Sequence, residues 1–252
     1  GGLDYVNASS NTYVSWHWRA NGGTTSTNST GSLSVTQQVD PSGGFSISTY
    51  SGDGGTDTIG HGLSRAPTFV VIKQRNDTNN WAVYAKGAGN TKYAYLDTDG
   101  TFGTAAMWQN TTPSSSLVYL GDNNEVNAGS RTYVAYCFAD TEGYIKSGSY
   151  VGNGNADGSF VYTGFKPAWV MVKNTSATEA WVVADNGRSP FNVVDKILKP
   201  NNSNAEATGS TYYCDFLSNG FKPRTTWEGW NQTNTFVYLA FAENPFKYAT
   251  AR

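Results

Sequence analysis

The sequence predicts an all-β protein built from two tandem β-sandwich-like repeats, preceded by a strand from a truncated earlier copy. Three observations carry this expectation. The chain matches itself at a shift of about 100 residues, its apolar runs are short and bounded by turn residues, and no 3.6-residue period is sustained.

The elements follow in chain order. Val6, Asn7, Ala8, Ser10, Thr12, Tyr13 and Val14 recur at Val126, Asn127, Ala128, Ser130, Thr132, Tyr133 and Val134, and Trp16 and Trp18 stand where Tyr136 and Phe138 stand. Residues 1–18 therefore read as the closing strand of a preceding copy, and residues 20–44, rich in Gly, Thr and Ser, as a linker or long loop. Together they make a leading segment, 1–44. The first repeat spans 45–144 and the second 145–252. Tyr50, Gly52, Gly54, Asp57, Pro67, Val70, Lys73, Trp81 and Val83 all recur 100 positions later, and 133–140 matches 236–243 at an offset of 103.

Aromatic and β-branched runs at 69–72, 81–84, 93–96, 117–120 and 133–138 predict the strands of the first repeat. Runs at 169–172, 181–183, 212–216 and 236–241 predict those of the second. Residues 192–199 are the one helical turn expected. Trp81 and Trp181, matched in position, are expected to fill the core of their own sandwich. Pro67 and Pro167 open strands, where a missing N–H is harmless. Gly52, Gly54, Gly152 and Gly154 are expected to supply positive φ. The loops at 52–57, 97–100 and 152–157 read as turns rather than phosphate or calcium sites, because they lack a following helix with its Lys or enough oxygens for calcium.

Composition narrows the function classes. Ser, Thr, Asn and Gly make up 105 of the 252 residues, while charged residues make up 14%, so hydroxyls and amides face the water. Net charge is -2 and Lys and Arg do not cluster, which argues against a nucleic-acid partner. No apolar run is long enough to span a bilayer, so no membrane insertion is expected, and no signal sequence opens the chain. Cys137 and Cys214 are too few for a disulfide framework; two buried thiols are the favoured reading and a single bridge the alternative. No metal or other cofactor is implied.

No catalytic constellation emerges. His17 reads as an edge residue and His61 as a loop residue that the second repeat lacks. Glu228, between Trp227 and Trp230, is the best single carboxyl for glycosidase-type acid catalysis, but nothing selects a second one. Where the two repeats differ is the better guide to binding. Trp108 with Gln109 and Asn110, and Trp227 with Glu228, Trp230 and Asn231, lie in loops that the residue matching leaves without a counterpart. Flat indoles beside amide and carboxyl side chains suit the stacking and hydrogen bonding of a sugar, so these seven residues form the candidate glycan site. Burial against a neighbouring subunit or lobe is the competing role for the three Trp.

The strings Gly-Ser-Tyr-Val-Gly-Asn-Gly-Asn-Ala-Asp-Gly at 148–158, Phe-Val-Tyr-Thr-Gly-Phe-Lys-Pro-Ala-Trp-Val-Met-Val-Lys at 160–173 and Leu-Ala-Phe-Ala-Glu-Asn-Pro-Phe-Lys at 239–247 resemble a repeat module of tailed-phage virion proteins. That module is common in phages of marine bacteria, in tail fibres and other structural proteins. Residues 60–67 and 133–140 resemble it too. The resemblance implies a tail or tail-fibre protein of the virion, extracellular when mature. It also implies that the protein contacts host-surface glycan, meets other virion proteins and forms a homo-oligomer such as a trimer. It carries over no catalytic residue. A virion-borne polysaccharide hydrolase or lyase and a purely architectural spacer are the alternatives.

Overall fold

The computed structural model describes residues 8–245. The chain is all-β. In the first lobe the strands are β1 (Ser26–Asn28), β2 (Val35–Asp40), β3 (Phe45–Ser51), β4 (Asp57–Gly60), β5 (Phe69–Gln74), β6 (Ala82–Ala85), β7 (Lys92–Tyr95), β8 (Gly103–Thr104), β9 (Leu117–Leu120) and β10 (Thr132–Phe138). In the second they are β11 (Ile145–Val151), β12 (Val161–Tyr162), β13 (Pro167–Asn174), β14 (Val182–Asp185), β15 (Lys196–Leu198), β16 (Ala207–Thr208), β17 (Cys214–Leu217), β18 (Gly220–Pro223) and β19 (Thr235–Ala242).

Each lobe has one large antiparallel sheet, ordered β1-β2-β3-β10-β5-β6-β7-β8 in the first and β11-β19-β13-β14-β15-β16 in the second. From β3 and β11 onward the order is the same. A smaller sheet, β4-β9 in one lobe and β12-β18-β17 in the other, covers one face of each. Two stretches differ from the sequence expectation. Residues 20–44 are not a linker, because β1 and β2 extend the first large sheet beyond β3. Residues 192–199 hold no helix, and their apolar Ile197 is buried within β15. Residues 8–18 lie in no strand, and the start of the expected leading strand, 1–7, lies outside the described residues.

The central strands of the large sheets are buried on both faces. On β5, Val70 and Ile72 enter the first lobe's own core, while Phe69 and Val71 enter a third core shared between the lobes. On β13, Val170 and Val172 face inward, and Trp169 and Met171 face the other lobe. Two-sided burial explains why these strands read as unbroken apolar runs instead of alternating with polar residues. It also relocates two tryptophans. Trp181 shares a face with Val183, so it points out of its own sandwich and into the shared core. There it is fully buried, and its Nε1–H donates to Tyr95 O of the first lobe at 2.8 Å. Trp81 points the same way but is only half-buried, stacked on Tyr136 with 18° between ring planes.

A set of polar fixtures recurs in both lobes. The Tyr50 hydroxyl donates to Val126 O and the Tyr150 hydroxyl to Trp230 O, each at 2.6 Å. Asn127 Nδ2 donates to Gly55 O and Asp57 Oδ2, and Asn231 Nδ2 donates to Asn155 O and Thr225 O. Each Asn also accepts a main-chain N–H through Oδ1, from Asp53 and Asn153 respectively. These amides hold the Gly/Asp loops in place. Of the four matched glycines only Gly54 and Gly154 have positive φ. Gly52 and Gly152 are required by close approach, since a Cβ at Gly152 would lie 2.0 Å from Gln232 O. Lys73 Nζ donates to Asp77 O and Asn79 O. Lys173 Nζ donates to Glu179 O and, across the lobes, to Asp99 O. Burial pushes the Lys173 ammonium down to about 8.

Three outcomes follow from this framework. Asn231→Ala removes the amide and leaves buried main-chain groups unpaired, so urea denaturation should show a loss of about 2–3 kcal/mol. Trp181→Ala should cost about 3–5 kcal/mol in the same measurement, as expected for a large buried ring. His61 is fully buried, with Nδ1 accepting from Leu63 N and Nε2 facing Ser114 O, and burial lowers its pKa. The unfolded chain therefore binds a proton that the folded chain resists. Stability should fall as pH drops below about 6.5, and the drop should be smaller in His61→Gln.

Candidate functional site

The structure separates the seven residues proposed from sequence and consumes four of them in the scaffold. Trp108 is buried in the first lobe, where its Nε1–H donates to Lys92 O at 3.1 Å and its ring meets Tyr84 edge-on. Gln109 Nε2 donates to Asp57 O and Leu120 O, bracing the β4–β9 pair. Trp230 is fully buried beside Phe221 in the second lobe. Asn231 is the loop fixture described above. Asn110 is exposed on the first lobe, whereas Trp227 and Glu228 lie on the second.

The apparent lack of counterparts came from a change of offset. The main-chain bonds Asn127 N to Asn123 O and Asn231 N to Trp227 O show that the two lobes here are related by 104 residues. At that offset Tyr212 matches Trp108, Val126 matches Trp230 and Asn127 matches Asn231. The residue matching Trp227 is Asn123, whose side chain caps a short helical turn by accepting from Glu125 N. Trp227 thus has no aromatic counterpart in the first lobe, and its ring packs at the margin of the second lobe's core.

Its surroundings form a distinct surface patch. Trp227 N donates to Thr225 Oγ1, and the turn that follows folds the indole over Gly229, where a Cβ would lie 2.4 Å from the ring. Tyr212 meets the ring edge-on at 5.0 Å, and Lys199 Nζ lies 5.3 Å from its centroid. Glu228 is exposed and accepts from Gln232 Nε2. Glu179 stands close enough to feel Glu228. Burial and then the Glu228 charge raise its pKa, and Lys199 and Lys173 partly offset the rise. The patch therefore offers a half-buried indole, a phenol, an ammonium, an amide and two carboxylates. Glu179, Lys199 and Tyr212 carry no signal in the sequence, because they come from two loops and a short helical turn far apart in the chain.

Other chemistry is weakly served. Cys137 and Cys214 are free and buried in different cores, and burial raises both thiols, Cys137 to about 12, which suppresses the reactive thiolate. Among the described residues no three His, Cys, Asp or Glu side chains come together as metal ligands. A second concavity, of about 520 Å³, opens between the lobes. Trp16, Trp18, Trp81, Tyr136 and Trp169 line it, and Gln38 is its one amide side chain, so it is poorly equipped to bind hydroxyl groups.

No curated protein and no solved structure matches the chain. The model of one family, a domain of unknown function (DUF7483), matches residues 2–245, and the chain belongs to that family.

Proposed function

We propose that the protein is a structural component of a tailed-phage virion, in the tail or its fibres, and that it recognises host-surface glycan through the Trp227 patch. The resemblance of its repeats to virion modules supports the first part. The observation that carries the second is the replacement of the scaffold's capping residue, Asn123 in the first lobe, by Trp227 in the second. A large half-buried ring at the margin of the second lobe's core, with hydrogen-bonding side chains around it, suits the apolar face and hydroxyls of a sugar. Other virion proteins and further copies of the chain are the expected partners.

One observation favours a second reading, a virion-borne polysaccharide hydrolase. Glycoside hydrolysis uses two carboxyl groups, one held protonated by its surroundings, and Glu179 has a raised pKa next to Glu228. Glycan-array binding should be strong for the natural protein and at least about tenfold weaker for Trp227→Ala, a loss of about 1.4 kcal/mol. Incubation with host polysaccharide should release no new reducing ends. Release that disappears in both Glu179→Gln and Glu228→Gln would instead establish the hydrolase. Absence of binding and of release together would leave the architectural spacer.

A further inference from the structure

The cleft between the lobes is incomplete as a protein core. Interiors of this kind are close-packed, yet here an apolar opening of about 520 Å³ continues the core shared by the two large sheets. Two of its sides are sheet faces. One presents Tyr136 and Phe138 on β10, flanked by residues of β3 and β5, and the other presents Trp169 on β13 and Leu239 on β19. Among the described residues, the third side is formed by Trp16, Trp18 and Ala20, with the Arg188 guanidinium 5.8 Å from the Trp16 ring. The ring of Trp18 lies 5.8 Å from that of Trp169 and 6.2 Å from that of Phe138. The indole Nε1 atoms of Trp16 and Trp169 are buried without a hydrogen-bond partner.

The segment that carries Trp16 and Trp18 has the local structure of a closing strand's entry. Ala8 N donates to the Tyr13 hydroxyl at 2.8 Å, as Ala128 N donates to the Tyr133 hydroxyl at 2.7 Å. Asn11 N bonds Ala8 O as Arg131 N bonds Ala128 O. Ser10 and Ser130 both take left-handed φ, 68° and 61°. The parity is kept as well. Tyr136 and Phe138 face the shared core from β10, and Trp16 and Trp18, 120 residues earlier, face it too. What differs is the setting. β10 lies between β3 and β5, whereas residues 14–18 belong to no sheet.

We infer that residues 8–18 are the closing strand of a third unit of this same repeat, and that the cleft is the seat of that unit's large sheet. The occupant is a unit of the same fold, continuous with Ala8, whose counterparts of β3 and β5 flank residues 12–18. Their outward side chains would occupy the cleft on either side of Trp16 and Trp18, as Phe45, Ile47, Phe69 and Val71 flank Tyr136 and Phe138. The aromatic core then has three sheet sides. This surface extends the existing contact between the lobes, and its Pro200 adjoins Lys199 of the Trp227 patch.

The test restores the missing strands. Fusing residues 45–127 directly ahead of Ala8 places residues 8–18 after the same residues that 128–138 follow. Hydrogen exchange read by mass spectrometry then compares residues 12–18 in the 252-residue protein and in the fusion. Protection should be low in the former and rise about 100-fold in the latter, with tryptophan emission shifting to the blue. Unchanged exchange at 12–18 in the fusion, or protection in the 252-residue protein already equal to that of β10, would overturn the inference. A companion fusion, residues 45–138 ahead of Arg19, carries the first unit's own closing strand. If only the companion folds as a third lobe, residues 8–18 are not a closing strand. If neither does while the original lobes keep their protection, the cleft is not the seat of a unit.

Discussion

The rest of the structure depends on the burial of the central strands of both large sheets on both of their faces. A sandwich normally needs one apolar face per sheet, with the other solvated. Here Phe69, Val71 and Phe138 on one sheet meet Trp169, Val237, Leu239 and Phe241 on the other, so the lobes share a third core as apolar as the two they enclose. Trp181 then serves two purposes at once. Its ring packs edge-on against Phe69, and its N–H satisfies a carbonyl of the opposite lobe. Lys173 does the same with its ammonium, bonding the second lobe's Glu179 carbonyl and the first lobe's Asp99 carbonyl. The contact is thereby fixed in register by polar groups and held by apolar area.

The same constraint explains the loops. With both faces of the large sheets committed to packing, the polar chain crossing each lobe's end must satisfy its own main-chain groups locally. Asn127 and Asn231 do this for the Gly/Asp loops, and Tyr50 and Tyr150 reach across to fix the preceding turn by its carbonyl. The donors in these fixtures are amide and hydroxyl groups, which accounts for part of a composition rich in Asn and Tyr and poor in ionic residues.

Fold class was legible because turn residues and β-branched runs act locally, and the repeat was legible because the scaffold residues Tyr50, Pro67 and Trp81 keep a constant spacing from their partners. What could not be read was the direction in which a matched residue points. Trp181 looks the same in sequence whether it fills its own sandwich or leaves it, and only the presence of a second apolar face decides. The loop at 225–233 was misread for a different reason. The offset drifts from 100 to 104 between Val183 and Asn231, so the scaffold residues Trp230 and Asn231 have no match at the spacing of the rest of the repeat. The 20–44 segment was misread because its short strands, β1 and β2, are polar and gain their order by pairing with β3. Of the candidate site, only Trp227 and Glu228 were visible, since Glu179, Lys199 and Tyr212 are brought to them by tertiary structure.

A repeat also gives an internal control for separating scaffold from function. Where both lobes keep a residue, as with Tyr50 and Tyr150, the fold explains it. Where the lobes differ in a buried residue, as Val126 and Trp230 do, packing explains it, because the surrounding core differs in shape. Trp227 fits neither case. Its counterpart is a capping Asn that stabilises the turn by a side-chain bond, and the second lobe gives up that cap for an indole lying partly in solvent. Glu179 stands where Asn79 stands in the first lobe, and in both lobes it is the main-chain carbonyl that receives the lysine, so the fold does not require a carboxylate there either. Two independent departures from the scaffold, converging on one surface from positions far apart in the chain, are what make this patch the candidate site.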